Sequence, residues 1–484
     1  MKNFSKYSNQ ICWFLIIIGI LLRFYYQFIE WSFNGDEINL GLEIIENDIN
    51  DILFPFKNLQ SAPPLFLFIE KILLYLAKPY ISLKILSFLF SIGTLLLWHK
   101  VLIRLFSKNI LIILLAFVCF SPFIIGTSLT LKQYSADLFL SLVAVNYFIE
   151  KRPFGVTVLF FSIFCLLSNV GIFICTAFGL FITIQAFIEK QKLNPKIFIR
   201  RISPYILAPV PYILYFLWFM SQPGAERMKS YMTHYWKGSF MPHDAGIIKW
   251  IAIQGNSISL FFFSSYGLLQ YTLLVIFIIG IFKLFLNFRI QYTSFLYKIT
   301  SIYILAILVQ ISLSAFQLYP FSDRLFLWIA PGIYLILGIG LMEINDWLCK
   351  IRPKAKNLIY IVPFSAIVLF FTYISNKSND IITLNNYLNS KTEHILLTRK
   401  AKSSIKNWLL MTKYEKEDFQ KLKNSEILKE FSWKPGSVIV GRQSEKFGHS
   451  DKKSPPEPVI MELIQSNNAK LIQRVNGYAI YKLK

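Results

Sequence analysis

Asp36 and Glu37 stand side by side in "FNGDE" (Phe33–Glu37), directly after the first long apolar run of the chain. A carboxylate in such a place can take a proton from a substrate hydroxyl. Three further stretches carry groups of complementary type. "NLQSAPPLF" (Asn58–Phe66) sets Gln60 before the pair Pro63–Pro64, and "LTLKQYSADLF" (Leu129–Phe139) gathers Lys132, Gln133, Tyr134 and Asp137. "QLYPFSDRLFLWIAPG" (Gln317–Gly332) carries Asp323 and Arg324. Each has a plain structural reading: acids at a helix N-terminus, a turn at Pro-Pro, ion pairs of small value at the ends of spans. As a set they offer a base, a point-charge lysine and a forked arginine. Lys132 and Arg324 suit a phosphate, and they would stabilise it as a leaving group. One base and one leaving-group clamp imply a single in-line displacement with inversion at the carbon attacked.

The elements that must position these groups are set by composition. Of 484 residues, 55% are hydrophobic and only 16% charged, against about a quarter charged in soluble domains. Many windows exceed the roughly 18 apolar residues that cross a bilayer, so the fold class expected is an all-α polytopic membrane protein. The first apolar stretch lacks a small-residue cleavage site and reads as a retained span. The net charge is +23, and between the spans the cations gather in alternate loops: Lys2 and Lys6; Lys100, Arg104 and Lys108; Lys151 and Arg152; Lys190 to Arg201; Lys283 and Arg289; Lys350 to Lys356. Basic short loops stay cytoplasmic, so the charge is a topology signal and nucleic acid is excluded as a partner. The N-terminus is then inside.

This alternation gives about 11 transmembrane helices, near 11–29, 81–99, 109–128, 134–149, 154–168, 170–188, 203–220, 267–286, 299–316, 325–344 and 357–375. Residues 1–375 form the membrane domain, with a first external loop at 30–80 that holds two outer-surface amphipathic helices, near 36–47 and 63–78. "IIKWIAIQGNSISLFFFSSYG" (Ile247–Gly267), broken by Gly255 and Asn256, is a third surface segment. Residues 376–484 are polar and Lys-rich, and "GSVIVG" with "GYAIYKLK" predicts a small α/β extracytoplasmic domain. Cys12, Cys119, Cys165, Cys175 and Cys349 all fall in spans or on the inner side, so that domain uses no disulfides. There is no internal repeat, P-loop or CxxC.

The acids, the lysine and the arginine therefore share the outer face. A donor with its polyprenyl tail in the bilayer and its phosphate at the surface would meet them there. "YMTHYWKGSFMP" (Tyr231–Pro242) adds Tyr235 and Trp236, as sugar-stacking faces or as interfacial anchors. His234 and His243 could join Asp36 or Asp244 on a divalent metal, but two histidines in a loop do not support one. These motifs, in this order over roughly residues 10–345, resemble the bacterial GT-C glycosyltransferases, relatives of protein O-mannosyltransferases and of the lipid A aminoarabinose transferase. The WWDYG-like signature of the oligosaccharyltransferase branch is absent. The resemblance implies that Asp36 is the catalytic base with Glu37 beside it, orienting or sharing the proton. It also implies a polyprenyl-phosphate sugar donor and no cofactor. The roles of Lys132 and Arg324 rest on their chemistry and position; Gln60, Gln133, Tyr134 and Asp137 line the cavity. The chain is expected in a bacterial inner membrane, serving a lipid, glycan or protein acceptor that the tail helps select. The alternatives are a lipid-linked-sugar transporter or flippase, which should show duplicated halves or broken mid-membrane helices, and a non-catalytic scaffold.

Overall fold

The computed structural model describes residues 2–30, 35–57, 59–77, 79–150, 153–188, 195–244, 246–263, 269–291 and 294–351, and the strands of the tail. Helix α1 (Lys2–Tyr25) runs through a π turn into the segment before α2 (Gly35–Glu46) and α3 (Pro64–Leu73). Then come α4 (Pro79–Leu105), α5 (Lys108–Phe120), α6 (Pro122–Ser128), α7 (Tyr134–Glu150), α8 (Phe154–Leu167) and α9 (Val170–Ile188). They are followed by α10 (Pro195–Leu207), α11 (Val210–Met220), α12 (Ala225–Tyr235), α13 (Ile247–Phe263), α14 (Leu269–Gln291), α15 (Phe295–Ala315) and α16 (Ala330–Ile351). Large apolar side chains cover the outside of the bundle, among them Phe14, Leu21, Leu159, Leu214 and Ile248. Water would penalise such a surface and lipid does not. The chain is a multi-pass membrane protein.

Among the described residues, 6 helical segments are long and apolar enough to cross, or 7 if the bent pair α5–α6 is one span. The stretches expected at 134–149, 154–168 and 267–286 are helical, but their apolar lengths fall short of that criterion; at 14 residues, α8 is only about 21 Å long. The span expected at 357–375 lies outside the described residues. The two helices expected in the first loop are α2 and α3. Pro63 holds the extended conformation before α3 and Pro64 takes its first position, where a missing N–H costs nothing. One expectation is corrected: α13 continues through Gly255 and Asn256 without a break.

In the tail, β1 (Ile395–Leu397), β2 (Glu426–Ile427), β3 (Val438–Arg442), β4 (Ala469–Val475) and β5 (Tyr478–Leu483) form a sheet of order β2-β1-β3-β5-β4. β1 is parallel to β2 and β3, while β5 is antiparallel to β3 and β4. The residues between β4 and β5 are Asn476-Gly477, the pair favoured by two-residue hairpin connections. Whatever surrounds the sheet in sequence lies outside the described residues.

Two devices hold the bundle. Proline at 122 has no N–H to give Val118, and α5 bends by 52° into α6 there. Arg23 of α1 fills the vacancy: Nη2 donates to Val118 O (3.1 Å) and Nη1 to Cys119 O (3.2 Å). Its Nε donates to Ser91 Oγ (2.8 Å), which is 2.9 Å from Ser128 Oγ. The fully buried guanidinium thus sits at the negative end of a helix. The second device is glycine at the crossing of α14 and α16. A Cβ on Gly280 would strike Ile336 O, and one on Gly340 would strike Ile276 O, so each glycine admits the other backbone.

Arg23→Met should lower the unfolding midpoint in detergent, at about 1–3 kcal/mol for each orphaned acceptor, whereas Arg23→Lys should recover part of the loss. A parental midpoint in Arg23→Met would show the break to be self-sufficient. In the same assay Gly340→Ala should destabilise by about 1–3 kcal/mol. Gly155→Ala, where nothing lies within 4 Å, should be neutral or stabilise by up to about 1 kcal/mol.

Candidate active site

The site begins with the first turn of α2. Successive helical residues point about 100° apart, so Asp36 and Glu37 face different surroundings. Glu37 is completely buried, and its Oε1 accepts the Leu131 N–H at 2.6 Å. This fixes α2 to the connection between α6 and α7 and places the neighbouring Lys132. Lys132 Nζ donates to Gln60 Oε1 at 2.6 Å, both side chains being buried. Burial pushes the Lys132 ammonium down to about 8 from its usual range; Asp36 and Glu37 oppose the shift and Arg324 adds to it.

Asp36 faces the chain segment that leads into α16. Arg324 Nη1 donates to Asp36 Oδ2 at 2.9 Å, with the two side chains 32% and 38% exposed. Nη2 donates to Tyr235 Oη at 3.2 Å, and the guanidinium carbon stands 4.8 Å from the centre of the Trp236 ring. Tyr134, the first residue of α7, is buried within electrostatic reach of Arg324. The exposed ring of Tyr235 also stacks on Tyr231, 6.0 Å away.

The supports come from four places. Lys71 of α3 donates to Ile44 O (2.9 Å) and Ile45 O (3.2 Å), and so caps the C-terminal end of α2 with positive charge. Its neighbour Glu70 is fully buried with neither carboxylate oxygen bonded among the described residues, and burial pushes it well above the usual carboxylate range. Lys84 of α4 is buried within electrostatic reach of Glu37, and its Nζ donates to Gln27 O at 2.6 Å. Ser239 O accepts both Ser314 Oγ–H (3.2 Å) and Phe321 N–H (3.0 Å), which ties the Trp236 loop to the segment carrying Arg324. Gln310 Nε2 donates to Pro320 O (3.1 Å) in that same segment.

Of the residues expected from sequence, Asp36, Glu37, Gln60, Lys132, Tyr134, Tyr235, Trp236 and Arg324 come together. Gln133 is buried beside them. Asp137 turns elsewhere and accepts Ser168 Oγ–H at 2.5 Å, at the turn between α8 and α9. Pro63 and Pro64 shape the start of α3. Lys84, Lys71, Gln310 and Ser314 were not anticipated. A lone lysine within an apolar helix is itself a pointer, and Lys84 fits it. Among the described residues no group of three or more His, Cys, Asp or Glu is spaced to hold a metal ion.

No protein-family model and no curated protein matches the sequence. Solved structures do. ArnT from Cupriavidus metallidurans bound to undecaprenyl phosphate superposes with a TM-score of 0.54 at 8% identity, covering 97% of each chain. The same protein in its apo state gives 0.52 at 8% identity with the same coverage. The apo oligosaccharyltransferase of Archaeoglobus fulgidus gives 0.47 at 12% identity, over 84% of this chain and 64% of that one. At such identities the likeness is one of fold: the chain shares the fold of the two ArnT structures.

Replacing Glu37 by Leu should leave the Leu131 N–H unpaired and Lys84 without its neighbouring anion. The expected cost is about 3–5 kcal/mol, seen as a lowered thermal midpoint, with a smaller loss for Glu37→Gln. If Glu37→Leu unfolds where the parent does, Glu37 does not anchor α2.

Proposed function

We propose that the protein is a glycosyltransferase that moves a sugar from a polyprenyl-phosphate carrier to an acceptor on the extracytoplasmic side of the membrane. The observation that carries the reading is one carboxylate facing two cations at the end of an apolar bundle. Asp36 is opposed by Lys132 and Arg324, an excess of positive charge suited to an anion. The fold supports it: the ArnT structure of that fold holds undecaprenyl phosphate.

In this reading Asp36 accepts the proton of the acceptor hydroxyl. The hydroxyl oxygen forms a bond to the anomeric carbon as the carbon–oxygen bond to phosphate breaks. The polyprenyl phosphate departs as an anion held by Lys132 and Arg324, and the single displacement inverts the anomeric centre. Glu37 acts through position, holding α2 in place. Tyr235 and Trp236 border the acceptor side. The basic loops orient the N-terminus inward and the tail outward, in a bacterial inner membrane.

A broken mid-membrane helix is what the transporter reading requires, and α5–α6 is broken. Its freed carbonyls, however, are engaged by Arg23 and do not offer an ion site.

The test is thermal stabilisation of the purified protein by a panel of polyprenyl-phosphate sugars, followed by turnover of the sugar that binds. Asp36→Asn should keep the shift and lose at least about a hundredfold in rate; Lys132→Ala should lose the shift. In the parent, affinity should fall as pH rises through about 8, where the Lys132 ammonium gives up its proton, and Lys132→Arg should remove that decline. Full activity in a folded Asp36→Asn variant would refute the mechanism.

A further inference from the structure

The roles of Asp36 and Arg324 obstruct each other in the contact they make. The Arg324 Nη1–H takes one lone pair of Asp36 Oδ2, and a hydroxyl that approaches this oxygen meets the guanidinium there. Arg324 has its other terminal nitrogen on Tyr235 Oη, so a phosphate that engages both terminal nitrogens competes with both contacts. One displacement of the guanidinium releases both groups.

The surroundings fit such a move. The pair is partly exposed, 32% on the arginine and 38% on the aspartate, and solvent-screened pairs of this kind are weak. A phosphate, with more charge and paired oxygens, competes well for a guanidinium. The Trp236 ring lies under the guanidinium at 4.8 Å. At that distance the cation can shift by about an ångström and still lie within the roughly 6 Å reach of the ring face. The groups facing it are Asp36 from α2, Tyr134 from α7, and Tyr235 with Trp236 at the end of α12, with Lys132 in electrostatic range. Lys132 is held by Gln60.

We propose that Arg324 is an exchangeable counter-ion: the donor phosphate draws it off Asp36 over the face of Trp236, which opens the Oδ2 side of the carboxylate to the acceptor hydroxyl. Donor binding precedes acceptor activation, so the base is masked until a leaving group is in place. The inference rests on the transferase reading and adds an order of events to it.

The experiment uses the full-length protein in detergent and polyprenyl phosphate without a sugar. Affinity is read by thermal-shift titration, and the state of Asp36 by carbodiimide labelling at slightly acid pH, quantified by peptide mass. Asp36→Asn should bind the lipid phosphate about fivefold more tightly, since no competing anion has to be displaced. Arg324→Ala should bind it at least about tenfold more weakly. Labelling of Asp36 should rise severalfold when the lipid phosphate saturates the parent, and should be high in Arg324→Ala without it. Saturable binding with unchanged labelling would overturn the exchange while leaving the donor site intact. No binding by a lipid that stabilises a control transferase of this fold would overturn the donor site and the exchange together.

Discussion

The arrangement depends on one buried hydrogen bond, from the Leu131 amide to the Glu37 carboxylate. A carboxylate taken fully out of water must find donors and positive charge or be neutralised. Here it finds a backbone amide, with the Lys84 ammonium nearby. That requirement pins a helix of only 12 residues against a loop more than ninety residues further along the chain. Once Glu37 is committed, helical geometry turns Asp36 about 100° away and the loop brings Lys132 within electrostatic reach of both. Two adjacent acids therefore have separate tasks: one is structural, and the other meets Arg324.

The remaining supports follow the same logic. An apolar bundle in lipid gains little from hydrophobic association between its helices, so small residues and polar contacts set the packing. Gly280 and Gly340 let two backbones touch. Lys71 closes the far end of α2, and Ser239 fastens the Trp236 loop to the Arg324 segment through a single carbonyl. The end that carries Asp36 and Arg324 is held by polar bonds reaching over long stretches of sequence, while the bundle beneath supplies a fixed frame.

The sequence shows much of this and hides the rest for definable reasons. Asp36, Lys132 and Arg324 stand out because they are charges at the ends of apolar runs, and the alternation of loops places them on one face. Which of Asp36 and Glu37 is buried is not visible, because adjacency alone does not say which surroundings each meets. Asp137 looks like a member of the cluster from spacing, yet in the first turn of α7 it points toward Ser168. Gln310 and Ser314 are inconspicuous because their partners lie in segments that only the fold brings near. The stretch 109–128 reads as one span by hydropathy; Pro122 marks the break, but nothing local reveals that a distant arginine compensates it. Within α13, the helix outweighs the breaking tendency of a single glycine.

Arg23 has a consequence for the making of the protein. It enters the membrane on the first helix, but the carbonyls that satisfy it belong to residues 95 and 96 positions later. Its serine partner comes 68 positions later. Until those segments are synthesised and inserted, the nascent chain carries a cation in hydrocarbon with only its own helix for company, a costly state. The first helix is thus committed to the bilayer only conditionally, and the bent α5–α6 pair completes it.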